Sequence, residues 1–464
     1  MSEPQQPVEP AAPTRAAAAP GRAGEGGLAA PTRHPLAWRD AEFYDEPALH
    51  KELERVYDIC HGCRRCVSLC QAFPTLFDLV DNSSTMEVDG IDKGDYGKVV
   101  EQCYLCDLCY QTKCPYVPPH EWNVDFPHLM LRAKAVEFRK GEVPASRQRL
   151  TNTTAFGKLA SIPVITEAAN AVNRSPTMRK LVGKLLDVHP DAHLPEFHSQ
   201  TGRRRVAKLR QQSVAPQPAG TTRGRVAIFV TCYGNYNMPQ VVEDLVVVLR
   251  HNAIEVKLVE RETCCGMPKL ELGDLQSVDR YKQDNLPVLA QAVAEGWDLM
   301  APIPSCVLMF RQEIPLMYPE DAAVQSVKRA IFDPFEYLMQ RHKAGLLDTR
   351  FANALGRVAY HAPCHQRVQN IGPKTKELLA MIPGTELEFI ERCSGHDGTY
   401  GIRNETYALS MKIARPVSAR AEKFAPDVVS SDCPMAADHI AHGMKDQHTP
   451  PAHPISLLRR AYGI

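Results

Sequence analysis

The chain of 464 residues has no apolar run approaching the ~18 residues that a membrane-crossing helix requires. Its longest, from Val241 to Leu249, is interrupted by Glu243 and Asp244. Neither sign of charge is in excess, with 54 basic residues balancing 54 acidic ones. That balance speaks against nucleic acid or an anionic membrane surface as the main partner. No apolar stretch follows Met1, as a secretory signal would need. No Gly-x-Gly-x-x-Gly follows any candidate strand, which removes the usual dinucleotide fingerprint. Small cofactors and other proteins remain as partners for a chain long enough for two to four domains.

What the chain does have is cysteine in clusters. Fifteen are too few for a disulfide framework at this length, yet their short spacings are those of metal sites in a reducing compartment. The cytoplasm is therefore the expected location. Eight fall in two runs, Cys60-x-x-Cys63-x-x-Cys66-x-x-x-Cys70 and Cys103-x-x-Cys106-x-x-Cys109-x-x-x-x-Cys114-Pro115. Three thiolates at i, i+3 and i+6 wrap one face of an iron–sulfur cube, and in two-cluster ferredoxins the fourth sulfur comes from the other run. The pattern predicts two [4Fe–4S] clusters, one on Cys60, Cys63, Cys66 and Cys114 and the other on Cys103, Cys106, Cys109 and Cys70. Zinc is the competing reading, but structural zinc sites pair two Cys-x-x-Cys arms and have no use for a third cysteine three residues on. Gln71 stands where the usual motif has proline, and the second run has one extra residue before Cys114.

The rest of the chain divides around this module. Residues 1–40, rich in Ala, Pro, Gly and Arg, read as a disordered tail. Residues 41–145 form the α-helical two-cluster module, with helices predicted from Asp45 to Tyr57 and from Asp125 to Lys140. The acids of Asp89–Asp95 lack the twelfth-position glutamate of an EF-hand and read as a turn-rich connection. Residues 146–210 read as a helical connector packing the cluster module against the C-terminal half. Its Arg203-Arg204-Arg205 cluster lacks interleaved aromatics and reads as a solvated or docking surface. Residues 211–224 are a Pro/Gly/Ser/Thr linker.

From 225 onward the chain reads as an α/β repeat, 225–350 and 351–464. Strands at Arg225–Thr231, Ile254–Glu260 and Asp298–Ile303 deliver Cys232, the pair Cys264-Cys265 and Cys306. Strands at Arg357–Ala362, Glu386–Ile390 and Asp427–Ser431 deliver Cys364, Cys393 and Cys433. Loops beyond the carboxyl ends of parallel strands converge, so the cysteines of each repeat are expected to meet. Cofactor ligation and buried, unligated thiols are both open for these seven, with His365 or His396 as a candidate fourth ligand in the second repeat.

The double cysteine run followed by Cys264-Cys265-Gly266, Pro304-Ser305-Cys306, His361-Ala362-Pro363-Cys364-His365 and Gly398-Thr399-Tyr400-Gly401 resembles the iron–sulfur subunits with cysteine-rich CCG domains. That family includes the C subunit of anaerobic glycerol-3-phosphate dehydrogenase, the D subunit of heterodisulfide reductase and, more distantly, the iron–sulfur subunit of glycolate oxidase. The resemblance implies an electron-transfer subunit working between a redox partner, in the first place a flavoprotein or alternatively a rubrerythrin-like protein, and an acceptor such as quinone. Membrane contact would then come through a partner at the inner face. It also implies an additional iron–sulfur cluster in the repeats. The chain departs from the full pattern: Met309 and Ala436 stand where a terminal Cys-x-x-Cys would end, and Ser394 replaces the second member of the central pair. A self-contained enzyme like heterodisulfide reductase and a redox sensor or scaffold are the other two readings. The cluster loops also carry an electrostatic expectation. His61, Arg64 and Arg65 lie within the first run and Asp107 within the second, so the first cluster should have the higher potential.

Overall fold

A computed structural model describes residues 31–210, 214–446 and 448–464. The cluster module is built on four helices, α1 (Glu46–Cys63), α2 (Ala72–Asp81), α3 (Tyr96–Glu101) and α4 (Phe126–Lys140). Asp45 caps α1 by accepting the Ala48 N–H, and Leu49, Leu53, Val56 and Tyr57 recur at helical spacing on its buried face. Arg64 then adopts a left-handed conformation with φ 50°, which ends the helix between Cys63 and Cys66. In the second run Leu105 and Asp107 both have positive φ, so the chain reverses twice between Cys103 and Cys109 instead of extending a helix. The acids around Asp89–Asp95 form short 3-10 turns.

Each repeat carries a parallel four-stranded sheet. In the first, β1 (Arg225–Ile228), β2 (Glu255–Leu258), β3 (Asp298–Met300) and β4 (Ile331–Phe332) lie in the order β2-β1-β3-β4. In the second, β5 (Gly356–His361), β6 (Thr385–Ile390), β7 (Val428–Ser431) and β8 (Pro451–Ala452) lie in the order β6-β5-β7-β8. The shared order establishes the internal repeat. β4 and β8 were not predicted, because two residues carry no periodicity. One apolar core joins the repeats, running from Val226, Ile228 and Leu245 through Phe335 to Val358, Tyr360 and Leu458.

One expectation changes. The tail was read as reaching residue 40, and residues 1–30 of it lie outside the described residues. Residues 31–40, however, are ordered: the Leu36 N–H donates to the Leu316 carbonyl, Trp38 is buried, and Arg33 is sequestered among carboxylates. The connector does bridge the cluster module and the repeats: Arg147 pairs with Glu101 at 2.7 Å and with Glu405 at 3.0 Å, and the Lys269 ammonium donates to the Gln148 carbonyl. α4 adds to that junction, its backbone at Lys134 lying so close to Gly273 that a Cβ there would collide with it. Of the connector helices α5 (Ala145–Leu150), α6 (Thr153–Ala160), α7 (Pro163–Arg174) and α8 (Pro176–Leu186), α5 carries Arg147 and α6 packs Gly157 against the Tyr236 ring.

Candidate iron–sulfur sites

The eight cysteines of the two runs sort into two neighbourhoods. Burial pushes the Cys60 thiol well up, and the thiolates that would repel its charge belong to Cys114, Cys66 and Cys63. Cys114 is likewise raised by burial, with Cys63 beside it. Cys70, close in sequence to the first run, lines a cleft of about 570 Å³ with Cys103, Cys106 and Cys109. Burial raises Cys103 to about 11. Cys109 is pushed well above the ordinary thiol range by burial, and its charged neighbours are Cys106, Cys103, Cys70 and Cys66. Cys66 therefore stands where the two neighbourhoods meet.

Backbone amides aim at these sulfurs. The N–H groups of Ala72 and Phe73, at the start of α2, donate to Cys70, that of Leu105 to Cys103, that of Leu108 to Cys106, and those of Tyr116 and Val117 to Cys114. Such donors stabilise sulfur carrying negative charge. A buried cation adds to this at the second set: Lys134 Nζ hydrogen-bonds the Cys103 carbonyl and its charge lowers the Cys103 pKa. Two groups of four sulfurs, mostly shielded from water and met by amide donors, suit a thiolate-ligated cluster.

Two of the loop charges already have partners of opposite sign. Arg64 is spent on Asp81, with which it forms an exposed ion pair, and it lies over the Phe77 ring at 5.0 Å. Asp107 is neutralised by Arg33, which donates to both of its oxygens. Arg64 and Asp107 thus add little to a difference between the two sites, whereas Lys134 is a buried cation beside Cys103.

In the first repeat Cys232, Cys264, Cys265 and Cys306 follow β1, β2 and β3 and form one sulfur array. Hydrogen bonds link Cys232 to Cys264, Cys264 to Cys265, and Cys265 to Cys306. The bonds from Cys232 and Cys265 hold Cys264 well below the ordinary thiol range, and the Gly266 N–H donates to its sulfur at 3.4 Å. The same bonds, with burial, push Cys232 and Cys265 up. Gly266 has φ +106°, so a side chain there would be strained. A single site with four sulfur donors fits an iron–sulfur cluster.

The second repeat is different. Cys364, His365 and Asp397 place ligand atoms within 4.8 Å of one another, and Cys364 Sγ lies 3.7 Å from Asp397 Oδ1. Burial raises Asp397 to about 7 and both Cys393 and Cys433 to about 12. The Nε2 atoms of His365 and His396 are buried without a hydrogen-bond partner. The His396 ring packs against His439 with centroids 5.8 Å apart. Cys393 lines the same cleft as Cys70 and Cys106, and Cys106 also influences Cys364. This repeat therefore borders the second cysteine set. Sequence reasoning missed Asp397, whose one signal is its position four residues beyond Cys393, and missed Arg33 and Lys134 entirely.

Comparisons with known proteins agree with this architecture. The cysteine-rich domain family CCG matches residues 226–311 and 358–436. The C subunit of anaerobic glycerol-3-phosphate dehydrogenase from Escherichia coli (strain K12) is 31% identical over 318 residues, covering 67% of this chain and 76% of that protein. The B subunit of fumarate reductase (CoM/CoB) from Methanothermobacter marburgensis is 24% identical over 406 residues, covering 83% and 68%. Lactate utilization protein A of Halalkalibacterium halodurans is 24% identical over 215 residues, covering 45% and 85%.

Proposed function

The chain belongs to the cysteine-rich domain family that includes the C subunit of anaerobic glycerol-3-phosphate dehydrogenase, and from that premise we propose that it is an electron-transferring iron–sulfur subunit of an oxidoreductase complex. Two [4Fe–4S] clusters, one on Cys60, Cys63, Cys66 and Cys114 and one on Cys70, Cys103, Cys106 and Cys109, would each take up and release one electron at a time. The observation that carries the reading is the exchange of fourth sulfurs: Cys70 keeps company with the second run and Cys114 with the first. The amides around Cys70 and Cys114 and the ammonium of Lys134 temper the negative charge that reduction adds. The Cys66–Cys109 neighbourhood joins the two sites into a single path.

The first repeat is assigned a third cluster on Cys232, Cys264, Cys265 and Cys306, and the second repeat a docking or supporting role beside the Cys70 site. A flavoprotein dehydrogenase is the proposed electron partner and a quinone the proposed acceptor. Disulfide chemistry by the chain alone is disfavoured, because Cys264, Cys265 and Cys306 are only 0%, 3% and 5% exposed and leave a disulfide substrate no approach. Reduction of the anaerobically purified chain should give two paramagnetic signals from the N-terminal clusters, apart from that of the first-repeat cluster. Cys70→Ser should remove one and Cys114→Ser the other, and survival of both signals in either variant contradicts the assignment.

A further inference from the structure

The connector carries a surface that electron transfer leaves unexplained. Most of the exposed large apolar side chains among the described residues fall in this one segment, including Phe156, Leu159, Ile162, Val164, Leu181 and Leu185. Val164 is 80% exposed and Leu185 68%. Helices α7 and α8 are inverted relative to an ordinary surface helix, which buries its apolar stripe and wets its polar one. The buried residues of α7 are Thr166 and Asn170, and those of α8 are Arg179 and Gly183.

The inward polar groups are fully employed. Asn170 exchanges two hydrogen bonds with the Phe197 backbone at 2.8 and 2.9 Å, and Asn173 donates to the Leu194 carbonyl. Arg179 donates to the carbonyls of His189, Pro190 and Ala192. Both helices are thus tied to one strip of chain, 189–197, through their polar sides, and their apolar sides point away from it together. Val164, Ala168 and Ala171 recur along α7, and Met178, Leu181 and Leu185 along α8.

The charge beside the α6 and α8 stripes has one sign. Lys180 and Lys184 border the Leu181–Leu185 stripe and Lys158 sits next to Leu159, all three exposed and none paired with a carboxylate among the described residues. From Arg149 to Leu186 the single acid is Glu167. The neutral balance of the whole chain conceals this local excess. Lysines flanking an apolar face are the composition of a helix lying in a lipid interface, whereas lysine is depleted in protein–protein interfaces. At 12 and 11 residues the helices are too short to cross a bilayer.

We infer that α6, α7 and α8 form a docking face for an anionic lipid surface, on which the chain rests through its own residues and without a partner subunit. The inference does not depend on which clusters the chain holds. It is tested by co-sedimenting the full anaerobically purified chain with vesicles of phosphatidylcholine alone and of phosphatidylcholine with a third part phosphatidylglycerol. The chain should sediment with the anionic vesicles, and less so as salt rises. Leu181→Glu/Leu185→Glu should weaken binding about tenfold or more. Lys180→Gln/Lys184→Gln should weaken it severalfold while the visible absorbance of the clusters is unchanged. Failure to sediment, or sedimentation indifferent to both pairs of substitutions, overturns the inference. So does a dimer that L181E/L185E dissociates without any vesicle binding, which would give the face to a second copy of the chain.

Discussion

Arg33 clasps Asp107 across 74 positions of sequence, its Nη1 and Nη2 donating to the two carboxylate oxygens at 2.5 and 3.0 Å. The same guanidinium donates to both oxygens of Asp125 at 2.8 and 2.9 Å, and Glu313 lies 3.6 Å away. An N-terminal arm is thereby fixed to the second cysteine loop, to the start of α4 and to the first repeat. Its side chain is only 6% exposed, so Arg33→Gln would leave buried carboxylates without their cation, at a cost of about 3–5 kcal/mol. Denaturant unfolding of the variant should show that loss, together with a lower iron yield. Wild-type stability would refute the importance of the arm.

Lys134 is the buried cation beside Cys103, and burial lowers its pKa while the negative neighbours Cys103, Glu101 and Glu271 oppose that. Lys134→Met should lower the reduction potential of the Cys70, Cys103, Cys106 and Cys109 site by tens of millivolts, because reduction adds negative charge there. Arg64→Gln should move neither site appreciably, since Asp81 already screens that guanidinium. Redox titration followed by paramagnetic resonance separates the two variants, and a larger shift in R64Q than in K134M would reverse the account.

Cys264 accepts hydrogen bonds from two thiols, the Thr153 hydroxyl and the Gly266 amide, which makes it the central sulfur of the first-repeat array. Cys264→Ser should remove about four irons per chain and leave the two N-terminal signals in place. Unchanged iron content would mean that the array packs as buried thiols.

Glu137, on α4, is raised to about 7 by burial and by the charge of Glu101. Unfolded, it titrates near 4.5, so between those values the folded state holds the extra proton. Its contribution to stability is greatest below about pH 4.5, falls as pH rises and is lost by about pH 7, an effect of roughly 1–3 kcal/mol. Glu137→Gln should flatten this part of the pH profile and raise the unfolding midpoint at pH 8. A profile identical to wild type would show that the carboxyl is better solvated than its burial suggests.

Much of this was legible in residues that speak for themselves. The six principal strands were legible as short runs leading to cysteines, the first of them β-branched, and the two sheets place those cysteines beyond strand ends. β4 and β8 were invisible because two-residue strands are selected by their neighbours. Arg33 was hidden by composition: its flanks are poor in core-forming residues, and only contacts 74 and 92 positions away order it. The partners of two cluster-loop charges, Asp81 for Arg64 and Arg33 for Asp107, could not be read from the loops because they lie outside them. The connector's helices were legible but its exposed apolar face was not, since periodicity reveals that a face is apolar without saying whether protein covers it.

Iron and acid-labile sulfide per chain, measured after anaerobic purification, test the central claim most directly. Two cubes with exchanged fourth sulfurs predict about eight of each from the N-terminal module, rising to about twelve with the first-repeat array loaded. They also predict about four fewer irons in each of Cys70→Ser and Cys114→Ser. A colourless chain carrying zinc, or full iron in both variants, would contradict it.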